Sequence, residues 1–341
     1  MNTLSASRLR LGLLAALAIA TAAHVAAQPA AAAPDIGTAS VPPSVSPAAT
    51  RAAPSASPDA GTATAAVALV PTGNPVALAH THAFTLTSRA GKDYRIFVSV
   101  PPGEPPAEGY GVLVVLDANA YFGAAADTMS LLRQFPMMPE RGKLADAAPT
   151  LVVGVGYPGD EPINGVRRTW DFVPPARNPA SLERLRGPLP GGADAFTDFL
   201  VKELRPAIAS AYRVNPARQT LAGHSLGGYY VLHVLATQPQ AFQRYVSVSP
   251  AVWWDDSRIV QDLAGLVPGR AQVMLAMAKE EWPGSAQGSA EMLEGARGVR
   301  DALVRAGLTG DALRYVELSD QDHMTTAFAM MSAVTRWASL P

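Results

Sequence analysis

Two patterns of hydrophobic and polar positions recur along the chain after about residue 75. Apolar residues occupy every second position over residues 94–100, and residues 84–87 alternate in the same way. This alternation predicts antiparallel strands with one face more exposed to solvent than the other. Residues 111–116 and 150–155 are instead continuously apolar. Such runs predict central parallel strands that are covered on both faces.

Strand-like and helix-like segments alternate through the rest of this region. The predicted strands lie at 218–222, 245–248, 273–275 and 313–318, and the predicted helices lie at 193–212, 226–237, 290–306 and 324–338. This alternation predicts an α/β fold, a mostly parallel, doubly wound sheet of about eight strands with helices on both faces. Ligands of such sheets bind beyond the carboxyl ends of the strands.

The first 74 residues have a different composition. Arg8 and Arg10 precede an apolar run over 11–23, and small residues follow up to Ala27. This order predicts a secretory signal peptide over residues 1–27, with an uncleaved anchor helix as the alternative. Residues 28–74 are rich in Ala, Pro, Ser and Thr, which predicts a disordered linker before a single catalytic domain over 75–341. We therefore expect an exported protein, periplasmic or secreted, with no stable membrane anchor after cleavage.

Composition excludes several classes of function. The 341 residues carry a net charge of -1 with no polybasic segment, so we expect no nucleic-acid partner. Cysteine is absent, which excludes disulfides, thiolate metal sites, cysteine nucleophiles and a lipidated cysteine anchor. The oligomeric state is not readable from these features.

The candidate chemistry is concentrated in Gly223-His224-Ser225-Leu226-Gly227. A Gly-x-Ser-x-Gly pattern between a predicted strand and a predicted helix is typical of a nucleophile elbow, which exposes a serine hydroxyl on a sharp turn. We expect glycine at 223 and 227 because side chains there would collide in such a turn. Ser225 is the predicted nucleophile.

A serine hydroxyl needs a general base, and in this fold the order along the chain is nucleophile, acid, histidine. Only His233 and His323 follow Ser225. His233 lies within the predicted helix after the elbow, whereas His323 follows the last predicted strand, so His323 is the predicted base. The acid is expected after the strand at 273–275.

Two carboxylates, Glu280 and Glu281, follow that strand. We prefer Glu281, with Glu280 second, and a Ser–His dyad without a strong acid is a third possibility. Asp320 and Asp322 are near His323 in sequence, but adjacency of this kind is not the usual triad geometry.

The oxyanion that forms during acyl transfer needs two backbone N–H donors. One is predicted at Leu226, directly after the nucleophile. The other is predicted in a loop over residues 117–122, at Ala118 or Asn119, between which the sequence does not choose. We expect no metal and no organic cofactor, because serine, histidine and backbone amides suffice for this chemistry.

Four further segments accompany this set, namely Val115-Leu116-Asp117-Ala118-Asn119-Ala120-Tyr121-Phe122, Val153-Gly154-Val155-Gly156-Tyr157, Arg167-Arg168-Thr169-Trp170-Asp171-Phe172-Val173-Pro174 and Ser249-Pro250-Ala251-Val252-Trp253-Trp254. Together with the elbow they resemble the esterase D-like family of α/β-hydrolases, most of all its siderophore-esterase branch. The resemblance covers residues 77–340 and implies the α/β-hydrolase fold. The chain departs from the family at Ala118 and Ala278, where the family has glycine, and at Val173 and Ala251, where it has threonine and serine.

The resemblance suggests roles for residues outside the triad. Arg168 and Asp171 are expected to pair at the edge of the pocket, where the cation meets an anionic substrate or merely fixes a loop. Trp253 and Trp254 are expected to form an apolar pocket wall for an aromatic acyl group, or to pack in the core. Residues 174–192 are expected to form a long loop over the site.

The function that follows is a serine carboxylic-ester hydrolase that acts through an acyl-enzyme on a small-molecule ester. The resemblance suggests siderophore trilactones or related esters as substrates. An acyltransferase of the same fold and a non-catalytic binding protein remain as alternatives.

Overall fold

The computed structural model describes residues 77–134, 147–185 and 189–341, which belong to one compact unit. The predicted signal peptide over 1–27 and the predicted linker over 28–74 lie outside these residues. Within the described ranges, no helix has the length and apolar character needed to cross a membrane.

Eight strands form one sheet in the described part of the chain. They are β1 (Thr81–Thr87), β2 (Asp93–Ser99), β3 (Tyr110–Leu116), β4 (Thr150–Gly156), β5 (Val214–His224), β6 (Arg244–Val248), β7 (Gln272–Ala278) and β8 (Leu313–Leu318). Their order across the sheet is β1-β2-β4-β3-β5-β6-β7-β8. β2 pairs antiparallel with both β1 and β4, and all other neighbours are parallel. The predicted mostly parallel sheet is therefore confirmed.

Helices cover both faces of this sheet. They are α1 (Ala118–Gln134), α2 (Gly165–Phe172), α3 (Ser181–Leu185), α4 (Ala193–Phe199), α5 (Arg205–Ala211), α6 (Leu226–Thr237), α7 (Arg258–Ala264), α8 (Ala286–Arg305) and α9 (Thr326–Ala338), with a π-helical turn at Leu200–Leu204 that joins α4 to α5.

Central strand β3 shows how the two faces are filled. Val112 and Val114 point into a core built with α4, α5 and α6, whereas Leu113 and Val115 point into a second core with α1 and α9. Because successive strand residues point to opposite faces, a strand buried on both faces is apolar at every position.

Two segments were predicted as loops, over residues 117–122 and over residues 174–192. The segment after β3 is not a loop over 117–122, because α1 begins at Ala118 and buries Tyr121 and Phe122 against the sheet. The segment predicted as a long loop over residues 174–192 is irregular on both sides of one short helix in its described residues, 174–185 and 189–192. It contains α3, and the backbone N–H groups of Arg177 and Asn178 each donate to the Asp255 carboxylate at 2.9 Å.

Candidate active site

Ser225 lies on the turn between β5 and α6, with φ 61° and ψ -120°. Such a backbone conformation is strained for a residue with a side chain. Gly223 is required there, because a Cβ would collide with the carbonyl of Gly227. Gly228 is the second close approach, since a Cβ would lie 2.8 Å from the Val248 carbonyl oxygen. A Cβ at Gly227 would make only ordinary contacts, so that part of the prediction is wrong.

His323 lies in the loop between β8 and α9 and reaches Ser225. Its Nε2 is 3.0 Å from Ser225 Oγ, a hydrogen bond between residues 98 apart in sequence. The carboxylate of Asp322 shapes the loop by accepting from the backbone N–H groups of Met324 and Thr325, each at 2.9 Å. Those hydrogen bonds lower the pKa of Asp322. Asp322 therefore orients the loop before α9, and the carboxylate hydrogen-bonded to the imidazole is that of Glu281.

Glu281 is the carboxylate that contacts the imidazole. Its Oε2 is 2.6 Å from His323 Nδ1, and its side chain is fully buried. The other oxygen, Oε1, accepts from Ser249 Oγ at 2.6 Å and from the backbone N–H of Ala278 at 2.8 Å. Glu280 is exposed. The alanine at 278 is compatible with this arrangement, because it ends β7 and lies outside the positive-φ region that favours glycine.

His224 joins the site from the elbow itself, and sequence reasoning missed it. Its Nε2 is 2.7 Å from the backbone carbonyl of His323, so this nitrogen carries the proton and donates. Nδ1 therefore accepts from the Tyr121 hydroxyl at 2.9 Å. Burial, with a smaller contribution from His323, lowers the pKa of His224 to about 3. His224 is thus a neutral bridge from α1 to the loop that holds His323.

The aromatic ring beside the imidazole is also unexpected. Trp282 stacks on His323 with ring centroids 4.5 Å apart, and 42% of its surface is exposed. Trp254 is fully buried, so of its two predicted placements it takes the one in the core. Trp253 is half-buried against the core, with the Arg184 guanidinium 5.0 Å from its ring centre. Trp282 directly follows the predicted acid Glu281 in sequence, and this position could have indicated that its ring lies near the imidazole.

The predicted pair between Arg168 and Asp171 does not form. Arg168 binds the Asp117 carboxylate, with Nε 3.0 Å from Oδ1 and Nη2 2.9 Å from Oδ2. Asp171 instead accepts from the Tyr94 hydroxyl at 3.1 Å and lies 3.4 Å from Lys92 Nζ.

The physical reason is burial of both side chains on α2. Each buried charge needs close partners. Arg168 finds its partner in the turn after β3, and Asp171 finds its partners at the start of β2, rather than on their own helix. Burial lowers the pKa of Arg168, but the charge and hydrogen bonds of Asp117 outweigh it, so the pKa is raised overall. The guanidinium is engaged within the protein and does not form a free cationic edge of a pocket.

The candidate oxyanion donors lie at the starts of two helices. Leu226 is the first residue of α6, and Ala118 and Asn119 are the first two of α1. First-turn N–H groups have no acceptor within their own helix, and the helix dipole favours negative charge there. The Asn119 side chain is fixed to the end of β4, because it accepts from Tyr157 N and donates to Tyr157 O, both at 3.0 Å. The choice between Ala118 and Asn119 stays a prediction.

An eight-stranded sheet of this order, with a serine elbow after β5 and an acid and a histidine after β7 and β8, defines an α/β-hydrolase. The family model described as "Putative esterase" matches residues 87–322. The chain belongs to this esterase family, and it is a carboxylic ester hydrolase.

Relatives of known name share most of the chain. It is 31% identical over 280 residues to the ferri-bacillibactin esterase BesA of Bacillus subtilis, which covers 79% of this chain and 93% of the relative. The crystal structure of the BES protein from Bacillus cereus aligns with a TM-score of 0.66 and 26% identity, over 80% of this chain and all of the other. The siderophore hydrolase EstA from Aspergillus nidulans aligns with a TM-score of 0.64 and 25% identity, over 80% of this chain and 98% of the other.

Proposed function

We propose that the protein is an exported serine esterase that hydrolyses siderophore esters through an acyl-enzyme. The observation that carries the proposal is the continuous relay from Ser225 Oγ to His323 Nε2 at 3.0 Å and from His323 Nδ1 to Glu281 Oε2 at 2.6 Å. A nucleophile, a base and an orienting acid within hydrogen-bond reach form the arrangement that activates a serine.

The reaction then proceeds in two halves. Ser225 Oγ attacks the ester carbonyl while His323 Nε2 takes its proton, and the buried Glu281 carboxylate stabilises the imidazolium. The N–H of Leu226 and one first-turn N–H of α1, from Ala118 or Asn119, stabilise the oxyanion. The tetrahedral intermediate collapses as His323 returns the proton to the departing alcohol. Water, deprotonated by His323, then hydrolyses the acyl-enzyme and regenerates Ser225.

The substrate class is argued from the relatives. BesA is named as a ferri-bacillibactin esterase, and two further relatives at 30% and 32% identity are named as esterases of enterobactin and triacetylfusarinine C. Since these names share a siderophore ester, we infer the same class of substrate here. Export is supported by the charge, apolar run and small-residue site of residues 1–27.

The test separates the chemistry from the substrate. Purified protein is assayed on p-nitrophenyl butyrate, a ferric tris-catecholate trilactone, a feruloyl ester and an acetylated sugar, with Ser225→Ala and a control, Ser210→Ala, at an exposed position on α5. We expect the trilactone to be turned over fastest, Ser225→Ala to be inactive and Ser210→Ala to match the wild type. Equal rates for Ser225→Ala and wild type would refute the nucleophile. Hydrolysis of the other esters but not of the trilactone would refute only the proposed substrate class. Cell fractionation with and without residues 1–27 tests export, and an unchanged location would refute it.

A further inference from the structure

A buried ion pair lies beneath the elbow and takes no part in the relay. Asp117 and Arg168 are joined by a two-pronged contact of 3.0 and 2.9 Å, and their residues are 2% and 8% exposed. Asp117 lies between the end of β3 and the start of α1, and its φ of 49° is in the left-handed region. Its backbone carbonyl accepts from Ala120 N at 2.9 Å, which closes the first turn of α1.

The same guanidinium also reaches the elbow. Arg168 Nη2 donates to the backbone carbonyl of His224 at 3.2 Å, and His224 directly precedes Ser225. Asp117 Oδ2 faces the start of α6, since a Cβ added to Gly227 would lie 3.4 Å from it. One side chain from α2 therefore bonds to the residue before α1 and to the residue before the nucleophile.

We propose that Arg168 is a positioning residue that fixes the starts of α1 and α6 relative to each other, and with them the two N–H donors of the oxyanion hole. This inference rests on the proposed serine-esterase function. Loss of one oxyanion donor costs about 10²–10³-fold in kcat, and a donor acts at about 2.7–3.1 Å from the developing charge. A small shift between the two helices therefore weakens transition-state binding and leaves the resting substrate bound as before.

A buried ion pair is by itself weak evidence of added stability. Replacing a buried ion pair by uncharged groups of similar volume is often neutral or stabilising, whereas removing one partner strands a buried charge. Asp117 also occupies a left-handed conformation that asparagine tolerates. The double variant Asp117→Asn/Arg168→Met therefore removes both charges and still allows the turn to form.

The experiment compares Arg168→Lys and this double variant with the wild type, and Arg297→Lys serves as the control. Arg297 forms an equally two-pronged pair with Glu317, at 2.9 and 3.1 Å, on α8 and β8. For each protein we measure kcat and KM on p-nitrophenyl butyrate, the inhibition constant of a short-chain trifluoromethyl ketone that forms a tetrahedral adduct with the serine, and thermal unfolding.

We expect kcat to fall about tenfold in Arg168→Lys and about 100-fold in the double variant, with KM within about twofold of wild type. The inhibition constant of the ketone is expected to rise by the same factor as kcat/KM falls, because the ketone adduct uses the same donors. Arg297→Lys is expected to leave all three kinetic quantities unchanged.

Two results would overturn the inference. One is a folded double variant with wild-type kcat. The other is a loss of activity that appears as a higher KM or a lower unfolding temperature while the ketone binds as tightly as before. Because Ser225→Ala is assayed alongside, failure of the esterase mechanism is distinguishable. An active Ser225→Ala protein refutes the proposed function, whereas an inactive one leaves that function standing, and either of the two results above then refutes only the positioning role.

Discussion

Acidification should destabilise the folded protein at His224, and replacing this residue with glutamine should remove that part of the pH dependence. His224 is 5% exposed, and it is flanked by His323 and by the Arg168 guanidinium. Burial is the largest cause of its lowered pKa of about 3, and these two neighbours lower it further. A glutamine amide retains a donor for the His323 carbonyl and cannot be protonated in this range.

The sign and size follow from linkage. The pKa of His224 is about 3 in the folded protein against an ordinary value of 6.5, so the unfolded chain binds the proton first as the pH falls. Stability at this site is complete above about pH 6.5 and is lost progressively down to about pH 3. Between about pH 8 and pH 5 the free energy of unfolding falls by about 2 kcal/mol from this residue alone.

The assay is urea unfolding of wild type and His224→Gln at about pH 8 and pH 5, followed by fluorescence. We expect the difference in unfolding free energy between the two proteins to shift by about 2 kcal/mol in favour of the variant at the lower pH. Burial also lowers the pKa of His233, but that contribution is present in both proteins and cancels. His82→Gln, at an exposed position on β1, is the matched control and should follow the wild type.

Parallel stability curves for wild type and His224→Gln over this pH range would refute the reasoning. They would mean that His224 is protonated in the folded state, or that it exchanges its carbonyl partner for solvent. In either case the neutral His224 imidazole would not fix the His323 loop by donating to its backbone carbonyl.

Two further variants test the surroundings of the imidazole. Glu281→Gln should lower kcat by about 10⁴-fold, because the amide no longer stabilises the imidazolium. Glu280→Gln, at an exposed position, should leave kcat unchanged. Equal losses of kcat in the two variants would refute a particular role for Glu281. Trp282→Ala should lower kcat/KM roughly two- to tenfold, since an aromatic stack contributes about 0.5–1.5 kcal/mol, and Trp282→Phe should retain most of the activity. Unchanged kinetics in Trp282→Ala would exclude a role for the stack.

Local patterns in the chain were sufficient for several of the strands and helices. The helix predicted at 226–237 and the strand predicted at 313–318 coincide with α6 and β8. Both are short-range patterns, in which the hydrophobic period and the flanking residues are contained in the segment itself. The start of α1 was missed because a family motif was interpreted as a loop, although its apolar side chains pack on the sheet as a helix.

The sequence by itself determined that a serine elbow precedes a histidine on a later strand end, and that the carboxylate candidates lie between them. Only the tertiary structure decided that Glu281 rather than Glu280 contacts His323, that Arg168 binds Asp117 rather than Asp171, and that Trp282 stacks on His323. The physical reason is the same in each case. A buried charge or ring is stabilised by whichever partner the fold brings within about 3–5 Å, and that partner lies on another element, at a separation in sequence that no local pattern encodes.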